Sequence, residues 1–229
     1  MNNTNQANQI LQGDCLELMK DIPDKSIDLI LTDIPYGVVN RKSNGLRGLD
    51  KQMADVVDFE IKDIVSEFAR IAKGSVYVFC GTEQVSELRA EMIKAGMSTR
   101  LVIWNKTNPS PMNGQHIWLS SIECCVFGKF PKATFNEHCK GSVLNFPNGR
   151  GKVHPTEKPL KLFEYLVTVS SNEGDTILDP FAGSGTTGVV AQNLNRNFIL
   201  MEQEPEYVEI IKQRLELNKE RLTKLEAEL

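Results

Sequence analysis

Two short stretches of the sequence hold residue types that could carry out chemistry. The first, LTDIPYG at residues 31–37, ends the apolar run IDLILTD with an acid, an aliphatic residue, a proline and a tyrosine. An unpaired carboxylate and a helix-breaking ring contribute little to a hydrophobic core. We therefore expect this tail, Ile34 included, to serve a functional site rather than packing.

The second stretch, GDTILDPFAGSGTTG at residues 174–188, has the pattern of a strand, an acid and a glycine turn that leads into a helix. Gly183, Gly185 and Gly188 match the G-x-G-x-x-G pattern. Glu202 follows Gly183 by 19 residues, where a ribose-binding acid belongs. The spacing indicates a nucleoside cofactor. A dinucleotide fold is disfavoured, because only 41 residues follow Gly188.

Seven short apolar runs alternate with segments of helical period, which predicts a mostly parallel sheet flanked by helices. The runs are NQILQGD, SIDLILTD, SVYVFCG, TRLVIWN, IECCVFG, DTILD and NFILME. In doubly wound sheets, ligands bind outside the carboxyl ends of the strands at the switch point. Since Asp33 and Asp179 both end strands, we expect two neighbouring strands to bring them to one crevice.

Three helix features follow from the same patterns. Residues 59–72 carry one apolar helical stripe, Thr82 is predicted to N-cap a helix that runs to Gly96, and Pro205 is predicted to open the last helix. The second half of that last helix, residues 215–229, is so charged that we expect a solvated extension or a partner surface. The stripe consists of Ile61, Ile64, Val65, Phe68 and Ile71.

Taken together, these motifs resemble those of the amino-group DNA methyltransferases that use S-adenosylmethionine, in the circular order in which the D-P-P-Y motif precedes the cofactor motif. Four blocks carry the resemblance, at residues 13–37, 154–167, 179–191 and 197–210. It implies a single catalytic domain over residues 1–229, with a doubly wound, mostly parallel, seven-stranded α/β sheet of the Rossmann-like methyltransferase type in permuted motif order. Ile34 departs from the family, which has a proline there.

The resemblance also implies how the first motif acts. The lone pair of an aromatic amine is delocalised into its ring, so an enzyme must localise it with two acceptors aimed at the two amine hydrogens. By resemblance these acceptors are the Asp33 carboxylate and the main-chain carbonyl of Ile34. Pro35 restricts the backbone before it. Tyr36 offers a flat face to a target base that has left the duplex.

For the second motif, the resemblance implies S-adenosylmethionine as cofactor, S-adenosylhomocysteine as product, and no metal. Asp179 is expected to face the methionine ammonium, Glu202 the ribose hydroxyls, and Asp14 the adenine amine. The block HPTEKP at residues 154–159 is expected to lie beside the methionine tail, with no acid or base role for its histidine. The predicted cofactor-binding residues are Asp14, His154, Thr156, Lys158, Pro159, Asp179, Phe181, Gly183, Ser184, Gly185, Thr186 and Glu202.

By resemblance, the partner is double-stranded DNA, and two basic stretches gain a use in binding it although the net charge is −4. For either stretch considered alone, a solvated surface is the alternative. Residues 128–161 hold seven Lys or Arg against two Glu, and residues 40–51 hold four basic residues against one acid. By resemblance, the loop at 38–52 closes over the flipped base, and residues 106–153 form a small target-recognition insertion. Candidate base-reading side chains are Asn108, Asn113, Gln115, Asn148 and Arg150.

Composition sets the remaining expectations. With 229 residues, 41% of them hydrophobic, the chain suits one soluble domain. No apolar run approaches 18 residues and the first residues lack signal-peptide features, so we expect a cytosolic protein with no membrane partner. The five cysteines lack metal or disulfide spacing and are expected to be reduced, structural thiols.

Several alternatives stay open at this level. Methylation of the cytosine 4-amino group needs nearly identical geometry, and Asp rather than Ser before I-P-Y favours adenine on family grounds only. A non-catalytic DNA-binding or regulatory protein that kept the fold is the alternative from another class. A homodimer and a cognate restriction endonuclease are also left open as partners.

Overall fold

A computed structural model describes residues 8–36, 59–111, 114–149 and 158–227, which form one sheet with helices on both faces. The strands are β1 (Gln9–Gln12), β2 (Ile27–Asp33), β3 (Ala72–Cys80), β4 (Ser98–Lys106), β5 (Ile122–Lys129), β6 (Val143–Phe146), β7 (Thr176–Asp179) and β8 (Asn197–Glu202). The helices are α1 (Cys15–Met19), α2 (Ile61–Ile71), α3 (Val85–Lys94), α4 (Leu160–Ser170), α5 (Thr186–Asn193) and α6 (Pro205–Ala227). One core lies under α1, α2 and α3, and a second lies under α4, α5 and α6.

The strand order β1-β8-β7-β2-β3-β5-β4-β6 places the two motifs side by side. β2 pairs in parallel with β7, through Leu29 opposite Ile177 and Ile30 opposite Leu178. From β2 the chain continues to β3 on one side, and from β7 it continues to β8 on the other. The switch point therefore lies between β2 and β7, which confirms that Asp33 and Asp179 end neighbouring strands.

All seven predicted strands are present, but the count was one short of the eight in the described ranges. The missed strand is β6, which pairs in parallel with β4 at the edge of the sheet. Only four residues long, it is half exposed along its length. Because an edge strand buries little, its sequence VLNF lacks the apolar run that revealed the others. The prediction of a mostly parallel sheet is confirmed, with β5 as the antiparallel strand.

The helix predictions had mixed outcomes. All five stripe residues of α2 are buried, and α6 begins at Pro205, as predicted. The Thr82 N-cap was wrong: α3 begins at Val85 after Gln84, and the Thr82 hydroxyl donates to the Glu83 carboxylate at 3.2 Å. A threonine two residues too early cannot cap the helix. The charged end of α6 continues the same helix to Ala227 without a break.

No helix within the described ranges has both the length and the apolarity needed to cross a membrane. All five cysteines are free thiols, four of them buried and Cys139 exposed. Burial raises the pKa of the Cys15 and Cys80 thiols to about 12. These thiols stay protonated at neutral pH, which suits packing rather than nucleophilic chemistry.

Candidate active site

Asp33 is the last residue of β2, and both of its carboxylate oxygens have donors. The Tyr36 hydroxyl donates to Oδ1 at 2.7 Å, and the Lys158 ammonium donates to Oδ2. Burial raises the pKa of the Asp33 carboxyl above its ordinary value, although the adjacent ammonium opposes the rise. Three side chains of the predicted site thus meet at one point.

The backbone that follows Asp33 is fixed on both sides of Ile34. The Ile34 N–H donates to the carbonyl of Phe79 at 3.1 Å. The Pro35 carbonyl accepts from the side-chain amide of Gln84 at 3.0 Å, and Gln84 also accepts from the N–H of Gly81 at 2.9 Å. The direction of the intervening Ile34 carbonyl is therefore set by the fold rather than by loop mobility.

The expectation that this tail serves a functional site rather than packing does not hold for the side chain of Ile34. Its side chain is only 1% exposed and belongs to the core under α1, α2 and α3. An aliphatic residue at this position therefore buries its side chain while its main chain stays at the sheet edge. Asp33, Pro35 and Tyr36 remain partly exposed, as a site requires.

Lys158 joins Asp33 to two charged residues that the sequence analysis missed. Its ammonium lies 3.1 Å from Oε2 of Glu123, and Oε1 of Glu123 lies 2.7 Å from the ammonium of Lys106. Burial alone would lower the pKa of the Lys158 ammonium, but Asp33 and Glu123 outweigh it and raise that pKa. Burial alone would raise the pKa of Glu123, but Lys158 and Lys106 outweigh it and lower that pKa. The signal in the sequence was an acid at the start of the apolar run IECCVFG.

Asp179, the last residue of β7, is 4% exposed and is bound by neutral donors. Thr32 donates a hydroxyl to Oδ1 at 2.8 Å, Thr187 donates one to Oδ2 at 2.5 Å, and the N–H of Phe181 donates to Oδ1 at 3.2 Å. Burial raises the pKa of the Asp179 carboxyl to about 6, against the lowering effect of these hydrogen bonds. Among the described contacts of this carboxylate, none comes from a cation.

The glycine turn after Asp179 is open to a ligand. Gly183 and Gly185 have φ of 51° and 79°, in the left-handed region that glycine adopts without strain. A Cβ at Gly183 would meet no atom within 4 Å, so there is space beside this backbone. Arg214 of α6 donates to the carbonyl of Ser184 at 3.0 Å and to its hydroxyl at 2.9 Å, a bracing contact that the sequence analysis missed.

Three carboxylates line the sheet edge at the ends of β7, β8 and β1. Glu202 accepts from the N–H of Gly183 at 2.8 Å and from that of Glu204 at 3.0 Å, which leaves further lone pairs for hydroxyl donors. Burial raises the pKa of its carboxyl. Asp14 is exposed and caps α1 by accepting from the N–H of Glu17 at 3.0 Å. The row of acids beside an open turn suits S-adenosylmethionine, which carries an ammonium, a ribose diol and an adenine amine.

Some predicted residues lie outside the described ranges: His154, Thr156, Asn113, Arg150 and the loop at 38–52. Lys158 contacts Asp33, and Pro159 precedes the first turn of α4. Contact of either residue with the cofactor stays a prediction. Ser184 and Thr186 are buried in the turn, and the ring of Phe181 packs on Phe59 at 5.3 Å between centroids. Within the ranges described, no group of three or more His, Cys, Asp or Glu could hold a metal ion.

Comparisons with known proteins agree with this geometry. The profile of the DNA methylase family, of the N6 and N4 type, matches residues 115–213. The type II methyltransferase M.HinfI of Haemophilus influenzae is 34% identical, over 91% of this chain and 68% of that protein. The DNA adenine methyltransferase YhdJ of Escherichia coli K12 is 29% identical, over 93% of this chain and 84% of that protein.

Two solved structures extend the likeness to three dimensions. The crystal structure of the M1.HpyAVI–SAM complex matches with a TM-score of 0.72 at 29% identity, over 90% of this chain and 99% of that chain. The cytosine-N4-specific PvuII DNA methyltransferase matches with a TM-score of 0.69 at 22% identity, over 90% of this chain and 85% of that chain. At that lower identity the second likeness concerns the fold alone.

The chain therefore belongs to the family of amino-group DNA methylases. It is an S-adenosylmethionine-dependent DNA methyltransferase in which the catalytic motif precedes the cofactor motif. The predicted family, fold, enzyme class and cofactor are thereby confirmed. The relatives named as methyltransferases favour an enzyme over the alternative of a non-catalytic DNA-binding protein.

Proposed function

We propose that this enzyme methylates the N6 amine of adenine in duplex DNA. The observation that carries the proposal is the junction of the two motifs. Asp33 and the fixed backbone of Ile34 end β2, Asp179 ends the neighbouring β7, and the Thr32 hydroxyl joins them by donating to Asp179 at 2.8 Å. A base amine held by the first motif would thus lie next to a cofactor held by the second.

In this proposal, the Asp33 carboxylate and the Ile34 carbonyl each accept a hydrogen bond from one N–H of the target amine. Pulling both hydrogens out of the ring plane localises the nitrogen lone pair for attack. Bound S-adenosylmethionine supplies the electrophilic methyl group on its sulfonium. Asp33 then also stabilises the positive charge that develops on the nitrogen. The anchors on both sides of Ile34 support this role, because an acceptor that does not move loses no energy to reorganisation.

Tyr36 would present its ring to the flipped base. Its hydroxyl donates to Asp33 at 2.7 Å, which limits rotation of the ring in the absence of DNA. Adenine must leave the duplex because its amine is otherwise paired and stacked. A preset aromatic face lowers the ordering cost of receiving it, and stacking of a base on an aromatic side chain contributes about 1–3 kcal/mol.

On the cofactor side, we assign the methionine ammonium to Asp179, the ribose hydroxyls to Glu202 and the adenine amine to Asp14. Burial without a counter-charge makes Asp179 a strong partner for a cation. Glu202 is already oriented by two backbone N–H groups, so its free lone pairs face a limited range of directions.

Residues 106–153 are proposed to recognise the DNA. The loop between β4 and β5 leaves the sheet at the edge where Asp33 lies, since β5 runs antiparallel to β3. It carries Trp118 at 94% exposure, next to the exposed Ile117. Asn108 and Asn148 hydrogen-bond to each other, which ties this loop to the segment after β6. Exposed apolar residues beside a site support a macromolecular contact.

The test is methyl transfer from labelled S-adenosylmethionine to mixed-sequence duplex DNA, followed by mass spectrometry of the nucleosides. N6-methyladenine is expected, and Asp33→Asn provides the inactive control. If N4-methylcytosine forms instead, the target is the 4-amino group of cytosine rather than adenine. If neither methylated base forms, the proposed function is wrong. Single-molecule sequencing of the modified DNA would give the sequence context.

The homodimer, the cognate restriction endonuclease and the cytosolic location stay predictions. Analytical ultracentrifugation tests the homodimer.

A further inference from the structure

Glu123 is a half-buried acid at the active-site edge to which neither motif assigns a role. It is the second residue of the antiparallel β5 and lies at the same edge of the sheet where β2 and β3 end. Its Oε2 lies 3.1 Å from the Lys158 ammonium and 3.5 Å from the Tyr36 hydroxyl. Its Oε1 is held at 2.7 Å by Lys106, so the carboxylate has a fixed orientation.

Lys158 therefore has two carboxylate partners, Asp33 and Glu123. Only 8% of its side chain is exposed, so its ammonium depends on those partners rather than on water. Removing the single partner of a buried charge carries a large energetic cost. If Asp33 were that single partner, a target amine arriving at Asp33 would have to overcome this cost before any methyl transfer.

Both oxygens of Asp33 are in use in the chain without DNA, one by Tyr36 and one by Lys158. A target amine must therefore displace or share one of these donors. Glu123 is an alternative acceptor for both donors, but the ammonium lies closer to it, at 3.1 Å against 3.5 Å for the Tyr36 hydroxyl. The ammonium can shift toward Glu123 without leaving the cluster, and Asp33 Oδ2 then becomes available.

We propose that Glu123 is a positioning residue for methyl transfer: it keeps the Lys158 ammonium beside Asp33 and takes over its pairing when the target amine engages Asp33. The inference rests on the proposed function, because it needs Asp33 as the acceptor of the amine. Glu123 acts through Lys158 and does not itself touch the base or the cofactor.

The charge balance of the cluster supports the same role. Asp33 and Glu123 carry two negative charges, and Lys158 and Lys106 carry two positive charges. Without Glu123 the cluster would hold one excess positive charge where the amine nitrogen also becomes positive. The excess positive charge of the cluster and the positive charge on the amine nitrogen would repel each other strongly in a partly buried site. Loss of Glu123 should therefore slow the chemical step more than it weakens cofactor binding.

Asp28 offers a matched control at the other end of β2. The side chains of Asp28 and Glu123 are both 21% exposed. The Asp28 carboxylate lies 2.8 Å from the Lys73 ammonium, and the Glu123 carboxylate lies 2.7 Å from the Lys106 ammonium. Asp28→Asn thus removes a strand ion pair far from Asp33. Glu123→Gln should lower thermal stability more than Asp28→Asn does, because the side chains of Lys106 and Lys158 are only 11% and 8% exposed whereas that of Lys73 is 49% exposed.

The experiment compares wild type, Glu123→Gln, Lys158→Met, the double variant and Asp28→Asn by methyl transfer to duplex DNA. We expect Glu123→Gln to lower kcat about 30-fold, close to 2 kcal/mol in the barrier, with KM for S-adenosylmethionine within about twofold of wild type. Asp28→Asn should keep kcat within about twofold. The double variant should be no slower than Lys158→Met, because Glu123 acts through that lysine.

Two results would overturn the proposal: kcat of Glu123→Gln equal to that of Asp28→Asn, or a double variant whose loss is the product of the two single losses. If Lys158→Met shows no turnover, the comparison of Glu123→Gln with Asp28→Asn alone decides. Wild-type protein that methylates no base amine would instead refute the proposed function. Active wild type with an unaffected Glu123→Gln would refute only the role of Glu123.

Discussion

Asp33 and Asp179 end two neighbouring strands, yet the fold surrounds them with opposite kinds of donors. Asp33 is paired with the Lys158 ammonium, and a second carboxylate holds that ammonium in place. Asp179 is bound by two hydroxyls and one backbone N–H. One carboxylate is thus neutralised within the protein, and the other is buried with a charge that its neighbours do not compensate.

The difference follows from the charge of the ligand each acid is proposed to receive. A cofactor ammonium brings its own positive charge, so a cation already at Asp179 would compete with it. A base amine arrives neutral and becomes positive only during the reaction, so Asp33 needs a counter-charge until then. Two aspartates at corresponding strand ends can therefore have different functions because of their neighbours alone.

The largest effect is expected from Asp33→Asn. Asparagine keeps the shape but replaces a charged acceptor with a neutral one where positive charge develops, so kcat should fall by about a thousandfold or more, near 4 kcal/mol. Cofactor affinity should stay within about threefold, because Asp33 is proposed to accept from the base amine rather than from the cofactor. Single-turnover transfer and titration calorimetry measure the two quantities. A kcat within tenfold of wild type would contradict the assignment of Asp33 as acceptor.

Asp179→Asn should have the reverse profile. Loss of the negative charge should weaken S-adenosylmethionine binding about 100-fold, near 3 kcal/mol. The same change should stabilise the cofactor-free protein. A folded pKa of about 6 against an ordinary value of 3.8 means that ionising this carboxyl costs folding about 3 kcal/mol at neutral pH.

The sign of that stability effect can be checked by pH. Because the folded pKa of Asp179 lies above its unfolded value, the wild type loses stability as pH rises from about 4 to 6. The gain from Asp179→Asn should therefore be full at pH 7 and shrink toward pH 4. Urea unfolding of both proteins across this range measures it. A variant less stable than wild type at pH 7 would mean that the hydrogen bonds outweigh the burial of charge.

Cofactor binding should also depend on pH in a defined direction. The ammonium favours ionised Asp179, whose pKa of about 6 means that most copies are protonated at pH 5. Affinity at pH 5 should be about tenfold weaker than at pH 7. The raised pKa of Glu202 acts in the same direction, so Asp179→Asn is the control and should show a flatter profile. Equal affinities at both pH values would argue that Asp179 does not face the ammonium.

A smaller effect is expected from Gln84→Ala, which tests the backbone acceptor rather than either carboxylate. The change removes the hydrogen bond to the Pro35 carbonyl and leaves the Ile34 carbonyl less fixed. One neutral hydrogen bond contributes about 1 kcal/mol, so kcat should fall about fivefold with unchanged cofactor affinity. Gln192→Ala, which removes a contact to Asn218 on α6, is the control. A weaker affinity for cofactor in Gln84→Ala would indicate a wider disturbance.

Much of the architecture could be predicted because its signals are local. The apolar runs of β2, β3, β7 and β8, and the stripe of α2, are legible in a few consecutive residues. The neighbouring positions of β2 and β7 followed from two motifs that must share a ligand. Edge strand β6 was not predicted, because it buries too little surface to need an apolar run.

The parts of the site that escaped prediction arise from tertiary contacts. Glu123 reaches Lys158 because β5 runs antiparallel, and no spacing in the sequence reveals that direction. Gln84 reaches Pro35 only because the strand ends of β2 and β3 lie side by side. The sequence predicted a functional role for the main-chain carbonyl of Ile34. The structure adds that the Ile34 side chain is part of the core, so one residue can contribute its side chain to packing and its carbonyl to the site.

The strand order has a consequence for synthesis of the chain. Among the described residues, β1 pairs with β8 alone, so Gln9 acquires its partner Ile199 only after β8 has been made. Since a chain emerges from its N-terminus, β2, β3, β4 and β5 can pair with one another while β7 and β8 are still being made. Until then, β2 has an unpaired edge on the side that later holds Asp179. The strand that ends in Asp33 can therefore pair before the strand that ends in Asp179 has been made, and the row of acids at this sheet edge is complete only when β8 pairs with β1.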